Sequence, residues 1–253
     1  MRYDSVVTGA FLARPNRFIA HVDLDGRTVV CHVKNTGRCR ELLIPGVKVL
    51  LEYHKDAWEK GRKTSYSLIG VWKIRKGRPP LLINMDSQAP NEAAWEWICN
   101  QGLKRLAFKE ETGQAPGRPF HVTDVRREIA YDQSRFDLAF VLDGQPAFME
   151  VKGVTLEEGG LAMFPDAPTE RGVRHLKELI KATREGIPCF ILFVIQMKEI
   201  SCFTPNRRTH PAFADALADA ANAGVTILAM DCRVTEDSME IDAPVPVQYA
   251  RID

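Results

Sequence analysis

Apolar and polar residues alternate along the first third of the chain, and a period of two predicts β-strands. Turn-forming pairs such as Asp25-Gly26 and Pro45-Gly46 separate the alternating segments. The predicted strands span residues 5–12, 18–24, 28–33, 47–53 and 66–72. Five short strands are enough for a small barrel, so the pattern predicts an OB-fold, although an SH3-like barrel would show the same alternation.

Beyond a turn-rich segment at residues 84–91, the hydrophobic period lengthens to that of amphipathic helices. Helices are predicted over residues 91–109, 169–184 and 212–223, with Asn91 as the N-cap of the first. Strands are predicted over residues 126–131, 135–142, 146–151, 189–196 and 225–230. The order α-β-β-β-α-β-α-β predicts an α/β domain with a mixed central sheet. We therefore expect two domains, an all-β barrel at residues 1–83 and an α/β domain at residues 84–253.

The charge of the chain divides at the same boundary. Over 253 residues, 34 Lys and Arg against 33 Asp and Glu leave a net charge of +1, which by itself argues against nucleic-acid binding. Residues 1–83, however, hold 16 basic and 7 acidic residues (+9), whereas residues 84–253 hold 18 and 26 (−8). Such asymmetry favours a polyanion-binding module joined to an acidic domain. The basic stretches at 55–63 and 73–78 would also suit ordinary solvated hairpin loops.

Membrane and secretory classes are not expected. The chain begins with an acid at position 4 and no apolar run of signal-peptide length, and no stretch approaches the ~20 apolar residues of a membrane span. The six cysteines include no C-x-x-C pair. We therefore expect reduced thiols in a cytoplasmic protein.

Two acidic residues and a lysine are predicted to meet on a β-hairpin. Asp137 lies in one predicted strand, and Glu150 and Lys152 end the next. Side chains two apart in a strand share a face, and a tight turn would bring Asp137 alongside. Adjacent carboxylates repel, and oxygen ligands of this kind suit Mg²⁺ or Mn²⁺, which would polarise a phosphoryl group and activate water. The alternative is an exposed ion pair protecting a sheet edge.

Several motifs resemble those of a known family. SRFD at residues 134–137 and EVK at residues 150–152, on this α/β core, resemble the PD-(D/E)XK nuclease superfamily. More narrowly, the whole chain is similar to the sugar fermentation stimulation protein A family of bacteria and archaea. The matching segments are residues 35–37 (NTG), 43–46 (LIPG), 134–137 (SRFD), 150–156 (EVKGVTL), 164–172 (FPDAPTERG), 175–179 (HLKEL), 203 (F), 205–206 (PN) and 211–213 (PAF).

This resemblance implies an N-terminal OB-fold, a C-terminal nuclease-like domain and largely sequence-nonspecific DNA binding, with a role in regulating genes of sugar metabolism. Carried over to this sequence, it implies Asp137 and Glu150 as metal ligands and Lys152 as the catalytic lysine. Family members often have serine after that lysine, where this chain has Gly153.

Three further residues are candidates for supporting the site. Arg171 and His175 lie four positions apart on a predicted helix and so share one face. His175 would assist as an acid or a ligand, or else be an ordinary surface histidine. Glu92 would complete a metal shell, or else favour the start of the first helix through the helix dipole.

Basic residues of the first domain are the candidates for DNA contact, because Lys and Arg pair with phosphates and an Asn amide reaches phosphate or base. The predicted DNA-binding residues are Lys34, Asn35, Arg38, Arg40, Lys73, Arg75 and Lys76. Trp58, Tyr66 and Trp72 would stack on unpaired bases or pack within the barrel.

The preferred interpretation is a cytoplasmic DNA-binding protein that hydrolyses a phosphodiester at Asp137, Glu150 and Lys152 with Mg²⁺ or Mn²⁺. The alternatives are a DNA-associated regulator without nuclease activity and a single-strand-binding accessory protein. The expected partner is DNA, bound without sequence preference; a homodimer is left open and no membrane partner is expected.

Overall fold

Five strands of the N-terminal third close into a barrel in the computed structural model, which describes residues 1–35, 37–106, 120–132 and 134–249. The strands are β1 (Val6–Asn16), β2 (Ile19–Leu24), β3 (Arg27–Val33), β4 (Lys48–Tyr53) and β5 (Tyr66–Arg75). Neighbours pair antiparallel in the order β3-β2-β1-β4-β5, and a parallel pairing of β3 with β5 closes the ring. This closure is the five-stranded barrel of the predicted OB-fold.

The structure adds a strand that the sequence pattern does not predict, β6 (Arg78–Asn84), which pairs with β5 at the edge of the sheet. Pro79-Pro80 argues against a strand, but prolines are tolerated on an edge strand because one side needs no ladder hydrogen bonds. At its apolar end, Leu81 and Ile83 belong to the same buried cluster as Ile195 of the C-terminal half. The barrel and the α/β domain therefore share one continuous core.

The C-terminal domain surrounds a mixed sheet with helices. In chain order its elements are α1 (Ala89–Cys99), α2 (Gly102–Arg105), β7 (Val122–Tyr131), β8 (Ser134–Leu142), β9 (Gln145–Val154), β10 (Leu156–Glu158), β11 (Leu161–Phe164), α3 (Glu170–Arg184), β12 (Cys189–Ile195), β13 (Cys202–Pro205), α4 (Pro211–Asn222), β14 (Thr226–Val234) and β15 (Met239–Pro244). The six-stranded sheet has the order β15-β14-β12-β9-β8-β7, with β9, β12 and β14 parallel. The α/β fold with a mixed sheet is as predicted.

Helices cover both faces of this sheet, so β12 is buried on both sides. Ile98 of α1 packs in one cluster with Leu192 of β12. Leu179 of α3 and Phe213 of α4 pack in the other with Phe193. Alternate residues of one strand thus serve two separate cores, which explains why the strand reads as a continuous apolar run.

The prediction of one continuous helix over residues 91–109 is wrong, because the helix begins earlier and is interrupted after Cys99. α1 begins at Ala89, with Pro90 in the first turn where a missing N–H costs nothing, so Asn91 is not the N-cap. After Cys99 the chain breaks at Gln101, which has a left-handed φ of 60°. The predicted residues from 107 onward lie outside the described residues.

Four short strands in this domain, β10, β11, β13 and β15, are also absent from the prediction, because strands of three to six residues show too little periodicity. β10, β11 and β13 form a separate three-stranded sheet. Within the described residues, no helix is long and apolar enough to cross a membrane.

Candidate active site

The β8–β9 hairpin carries the three residues singled out in the sequence. Its two-residue turn, Asp143-Gly144, has positive φ at both positions (49° and 88°), which matches the twist of the flanking strands. The ladder places Leu138 opposite Met149 and ends there. Asp137 and Glu150 therefore face each other at the point where the two strands separate.

Glu150 is almost completely buried, at 1 % exposure, and its two oxygens have different surroundings. Oε1 accepts hydrogen bonds from Lys152 Nζ (2.5 Å) and from His175 Nδ1. Oε2 is buried and has no hydrogen-bond partner. Since an unpaired buried carboxylate oxygen is costly, Oε2 is the atom of this site most in need of a ligand.

His175 is held by the helix that follows the hairpin in sequence. It lies on α3 and is 4 % exposed, so it is not a surface histidine. Arg171 Nε donates to His175 Nε2 at 3.2 Å, which places the ring proton on Nδ1, facing Glu150. The prediction that Arg171 and His175 share one helix face is confirmed. Arg171 contacts His175, and His175 in turn contacts Glu150 on the hairpin.

Asp137 is held by groups on two other elements. Its Oδ2 accepts from the backbone N–H of Val151 (2.8 Å), the residue between Glu150 and Lys152. Its Oδ1 accepts from the side-chain amide of Asn91 on α1 (2.9 Å). Sequence reasoning assigned Asn91 to a helix cap and missed this contact, because nothing local shows that α1 crosses the hairpin at that point.

The two carboxyl groups respond differently to burial. Burial raises the pKa of Asp137, and the neighbouring charge of Glu150 raises it further. Burial alone would also raise the pKa of Glu150, but the hydrogen bond from His175 and the charge of Lys152 outweigh it and lower that pKa. Two carboxylates thus lie opposite each other on the hairpin with one lysine bound to Oε1 of Glu150, and a divalent cation would compensate the second negative charge.

The residues present fit a magnesium-type ion better than a zinc-type ion. No group of three or more His, Cys, Asp or Glu in the described ranges is arranged to hold a metal. Magnesium sites, however, commonly use one or two carboxylates and complete the shell with water and substrate phosphate. Asp137 and the free Oε2 of Glu150 are the groups that would hold such an ion.

Glu92 is engaged elsewhere. Its two oxygens accept from both terminal nitrogens of Arg127 on β7, at 2.7 and 2.8 Å, and this bidentate pair lowers the pKa of Glu92. Within the described residues, Glu92 therefore forms no metal-binding group with Asp137 and Glu150.

Three of the cations predicted to contact DNA instead join the two domains. Lys34 contacts Asp86 (2.8 Å) and Glu52 (3.3 Å). Lys73 pairs with the buried Glu157 (2.5 Å), and Arg75, whose side chain is only 7 % exposed, pairs with Glu199 (2.9 Å). Sequence reasoning counted them as free charges because it could not see the acidic domain packed against the barrel.

The remaining predicted DNA-contact residues are on loops. Asn35 accepts the backbone N–H of Gly37 (2.8 Å) and so shapes its own loop. Arg38, Arg40 and Lys76 are exposed. Of the aromatic candidates, Trp58 is 73 % exposed on the surface, whereas Tyr66 packs on Tyr53 and the Trp72 ring lies beneath Lys48.

Comparisons with known proteins match both halves of the chain. A family model described as the sugar fermentation stimulation protein RE domain matches residues 88–238, and one described as the SfsA N-terminal OB domain matches residues 12–78. A sugar fermentation stimulation protein homolog from Desulfitobacterium hafniense is 52 % identical over 240 residues, 95 % of each chain. One from Ruminiclostridium cellulolyticum is 48 % identical over 98 % of this chain and all of that one.

Among solved structures, the chain is similar to one described as Pyrococcus furiosus SfsA in complex with Ca²⁺. The two are 29 % identical, superpose with a TM-score of 0.79 and each covers 98 % of the other. Together with the family models, this confirms the OB-fold over the SH3-like alternative.

Proposed function

The chain belongs to the sugar fermentation stimulation protein family, and from this premise we propose that it is a divalent-metal-dependent nuclease that acts on DNA. The hydrolysed bond would be a phosphodiester, and the reacting groups would be Asp137, Glu150 and Lys152 on the β8–β9 hairpin.

One observation carries the proposal: Glu150 has both of its charged or polar donors on Oε1, and Oε2 is buried without a partner. An ion pair that only protected a sheet edge would be exposed and would need no such asymmetry. The neighbouring Asp137 is held from two sides, by Val151 and Asn91, so its carboxylate is fixed at the position opposite Glu150 on the hairpin. The relative described as a complex with Ca²⁺ adds support, since Ca²⁺ also takes oxygen ligands.

Each residue has a distinct part in this chemistry. A bound Mg²⁺ or Mn²⁺ would polarise the phosphoryl group and lower the pKa of a bound water. Asp137 and Glu150 would hold the ion, and Asn91 and His175 would keep those carboxylates in place. The Lys152 ammonium would orient the attacking water or offset charge that develops on phosphate.

The test is cleavage of labelled single-stranded, duplex and branched DNA, and of RNA, with Mg²⁺ or Mn²⁺. We expect cleavage by the natural chain and a loss of at least a hundredfold in Asp137→Ala and Lys152→Ala, which each remove a group acting on the reacting atoms. Glu240→Gln is the matched control, because Glu240 is an exposed carboxylate on the outer strand β15 of the same sheet.

Equal cleavage by the natural chain and both site variants would rule out this site. Absence of cleavage on every substrate, with salt-sensitive DNA binding retained, would instead favour a DNA-binding regulator; the relatives' name, sugar fermentation stimulation protein homolog, would suggest sugar metabolism as its setting.

A further inference from the structure

A groove of about 550 Å³ runs across the barrel on the side of the β1–β2 turn. Its walls are the end of β1, the turn at Arg17 and the segment at residues 38–45. Its lining includes Arg14, Arg17, Arg38 and Arg40 and no carboxylate. We call it the arginine groove. Of these residues only Arg38 and Arg40 were expected from sequence to contact DNA.

Arg14 builds the groove from within. Its Nη1 donates to the backbone carbonyls of Gly37 and Arg38, and its Nη2 donates to those of Asn35 and Arg17, all at 2.7 Å. One guanidinium therefore ties the β1–β2 turn to the loop that follows β3. Both terminal nitrogens are used for this purpose, so Arg14 positions the groove and is not itself free to bind a ligand.

The charges that remain free belong to Arg17, Arg38 and Arg40, all exposed. Three guanidinium groups around one groove without a carboxylate attract an anion, and arginine is suited to phosphate because its fork matches the phosphate oxygens. The repeated phosphates of a nucleic acid would satisfy all three.

The groove is also apolar, which distinguishes its ligand. Of its apolar lining, Phe11 and Leu43 are buried (2 % and 7 % exposed), so the accessible apolar surface is Leu12 (40 % exposed) and, beside the groove, Phe18 (46 %), whose ring centre lies 4.6 Å from the Arg17 guanidinium. A duplex presents its phosphates outside and keeps its bases stacked within, so its bases cannot contact these apolar side chains. An unpaired strand exposes base faces that stack on aromatic rings.

The same loop also borders the hairpin. Asn35 and Gly37 line a second cleft, of about 170 Å³, whose opposite wall is Gly153 to Leu156. That wall begins directly after Lys152. Asp166 also lines this cleft, and its carboxylate lies so close to Gly37 that a β-carbon at position 37 would overlap it. A strand leaving the arginine groove over this loop would arrive beside the Glu-x-Lys strand.

We propose that the arginine groove binds a single strand of nucleic acid and leads it towards the hairpin. Its delivery to a hydrolytic site rests on the proposed function above, but the binding itself does not. Single-stranded DNA and RNA share the chemistry invoked, phosphates and unstacked bases, so both are included in the test.

The experiment measures binding of the full chain to fluorescent single-stranded DNA, single-stranded RNA and duplex DNA of equal length, in EDTA so that no cleavage occurs. The variant is Arg17→Gln with Arg40→Gln. The matched control is Arg27→Gln with Arg78→Gln, the same change of charge at two exposed barrel positions that do not line the groove. Phe18→Ala removes the exposed ring.

We expect tighter binding of at least one single-stranded ligand than of duplex. In the groove variant, the slope of log K against log salt should fall by roughly 0.7 for each phosphate that is no longer neutralised, hence about 1.4 for both. Phe18→Ala should weaken single-strand binding roughly tenfold, the order of one base stack, and leave duplex binding unchanged.

Tighter binding of duplex, or equal losses in the groove and control variants, would overturn the proposal. The two proposals fail separately. If the groove variant binds like the natural chain while Asp137-dependent hydrolysis is observed, only the proposal of the arginine groove is overturned. If binding depends on the groove but no hydrolysis occurs, only the proposed nuclease function is overturned.

Discussion

Lys152 and His175 both donate to the same oxygen of Glu150, although a carboxylate offers two. The Glu150 carboxylate is therefore held through Oε1, and Oε2 is left without a hydrogen-bond partner. Asp137 is held beside it by Val151 and Asn91, although the two negative charges raise each other's energy. Without a cation, this site is therefore a local source of instability, as functional sites commonly are.

This repulsion predicts a stability effect of Asp137→Asn. In the absence of divalent cations, the variant should be more stable than the natural chain by about 1 kcal/mol, or a few degrees in Tm, because one of two adjacent charges is removed and the Asn91 amide can turn its oxygen towards the new NH2 group. Mn²⁺ should raise the Tm of the natural chain and not of the variant. Thermal unfolding with EDTA and with Mn²⁺ measures both effects.

Asp143→Asn is the matched control, since it makes the same chemical change at the exposed turn of the same hairpin. It should keep the Mn²⁺ response. A variant at Asp137 that is destabilised without metal, or that still responds to Mn²⁺, would contradict the idea of two opposed carboxylates.

At the scale of elements, the site depends on how closely α1 approaches β9. The Cα of Gly153 lies where a β-carbon would come within 2.6 Å of the Pro90 ring and of the Gln196 side-chain oxygen. The absence of a side chain at Gly153 thus lets the start of α1 reach the hairpin. That approach is also what brings Asn91 within 2.9 Å of Asp137.

Gly153→Ala should therefore destabilise the chain by roughly 1–3 kcal/mol, the usual range for an overpacked core. Replacing Pro90 as well, in a Gly153→Ala, Pro90→Ala double variant, should recover part of the loss because the ring is what the new methyl group meets. Urea unfolding of the two single variants and the double variant gives the coupling energy. Strictly additive effects would show that α1 and β9 are not in close contact here.

At the scale of the whole molecule, the two domains are held by buried polar contacts as well as by a shared core. Gln196 donates to the carbonyls of Asn84 and Asp86, where the barrel ends and the second domain begins. Lys34 contacts Asp86, and Lys73 contacts Glu157, whose side chain is 3 % exposed. Basic residues of the barrel thus compensate acidic residues of its neighbour, so part of the +9 and −8 of the two halves cancels across the junction.

Glu157→Gln tests this junction. Burial by itself raises the pKa of Glu157, but the hydrogen bond and charge of Lys73 outweigh it, and the folded pKa lies below its ordinary value of 4.5. The ionised carboxylate therefore adds stability above pH 4.5, and this stability is lost as the pH falls through the lowered pKa. We expect a loss of about 3 kcal/mol at pH 7, because the partly buried Lys73 ammonium loses its counter-charge and keeps only the backbone carbonyl of residue 157 as a charge-independent partner, and little difference from the natural chain at the acid end.

Urea unfolding between pH 3 and pH 7 gives this profile. Glu236→Gln is the control, since Glu236 also pairs across the junction, with Lys48 at 3.2 Å, but both side chains are about half exposed, and it should cost under about 1 kcal/mol. A loss at Glu157 that did not vary with pH would mean that the contact acts through packing and not through charge.

What the sequence determined by itself is local. The period of two, the period of a helix and the tight turn at Asp143-Gly144 depend on neighbouring residues, and they sufficed for the barrel, the mixed sheet and the meeting of Asp137, Glu150 and Lys152 on one hairpin. The turn set the register, and the register set which side chains face each other.

Only the tertiary structure decided which groups surround that hairpin and which cations are free. Asn91 is 46 residues from Asp137, Lys73 is 84 from Glu157, and Arg14 reaches a loop more than 20 residues away. Such contacts depend on how whole elements pack, and a charged or amide side chain gives the same local signal whether its partner is water or a distant residue. This is why the sequence predicts Lys34 and Lys73 as DNA contacts, while the structure shows that both form ion pairs that join the two domains.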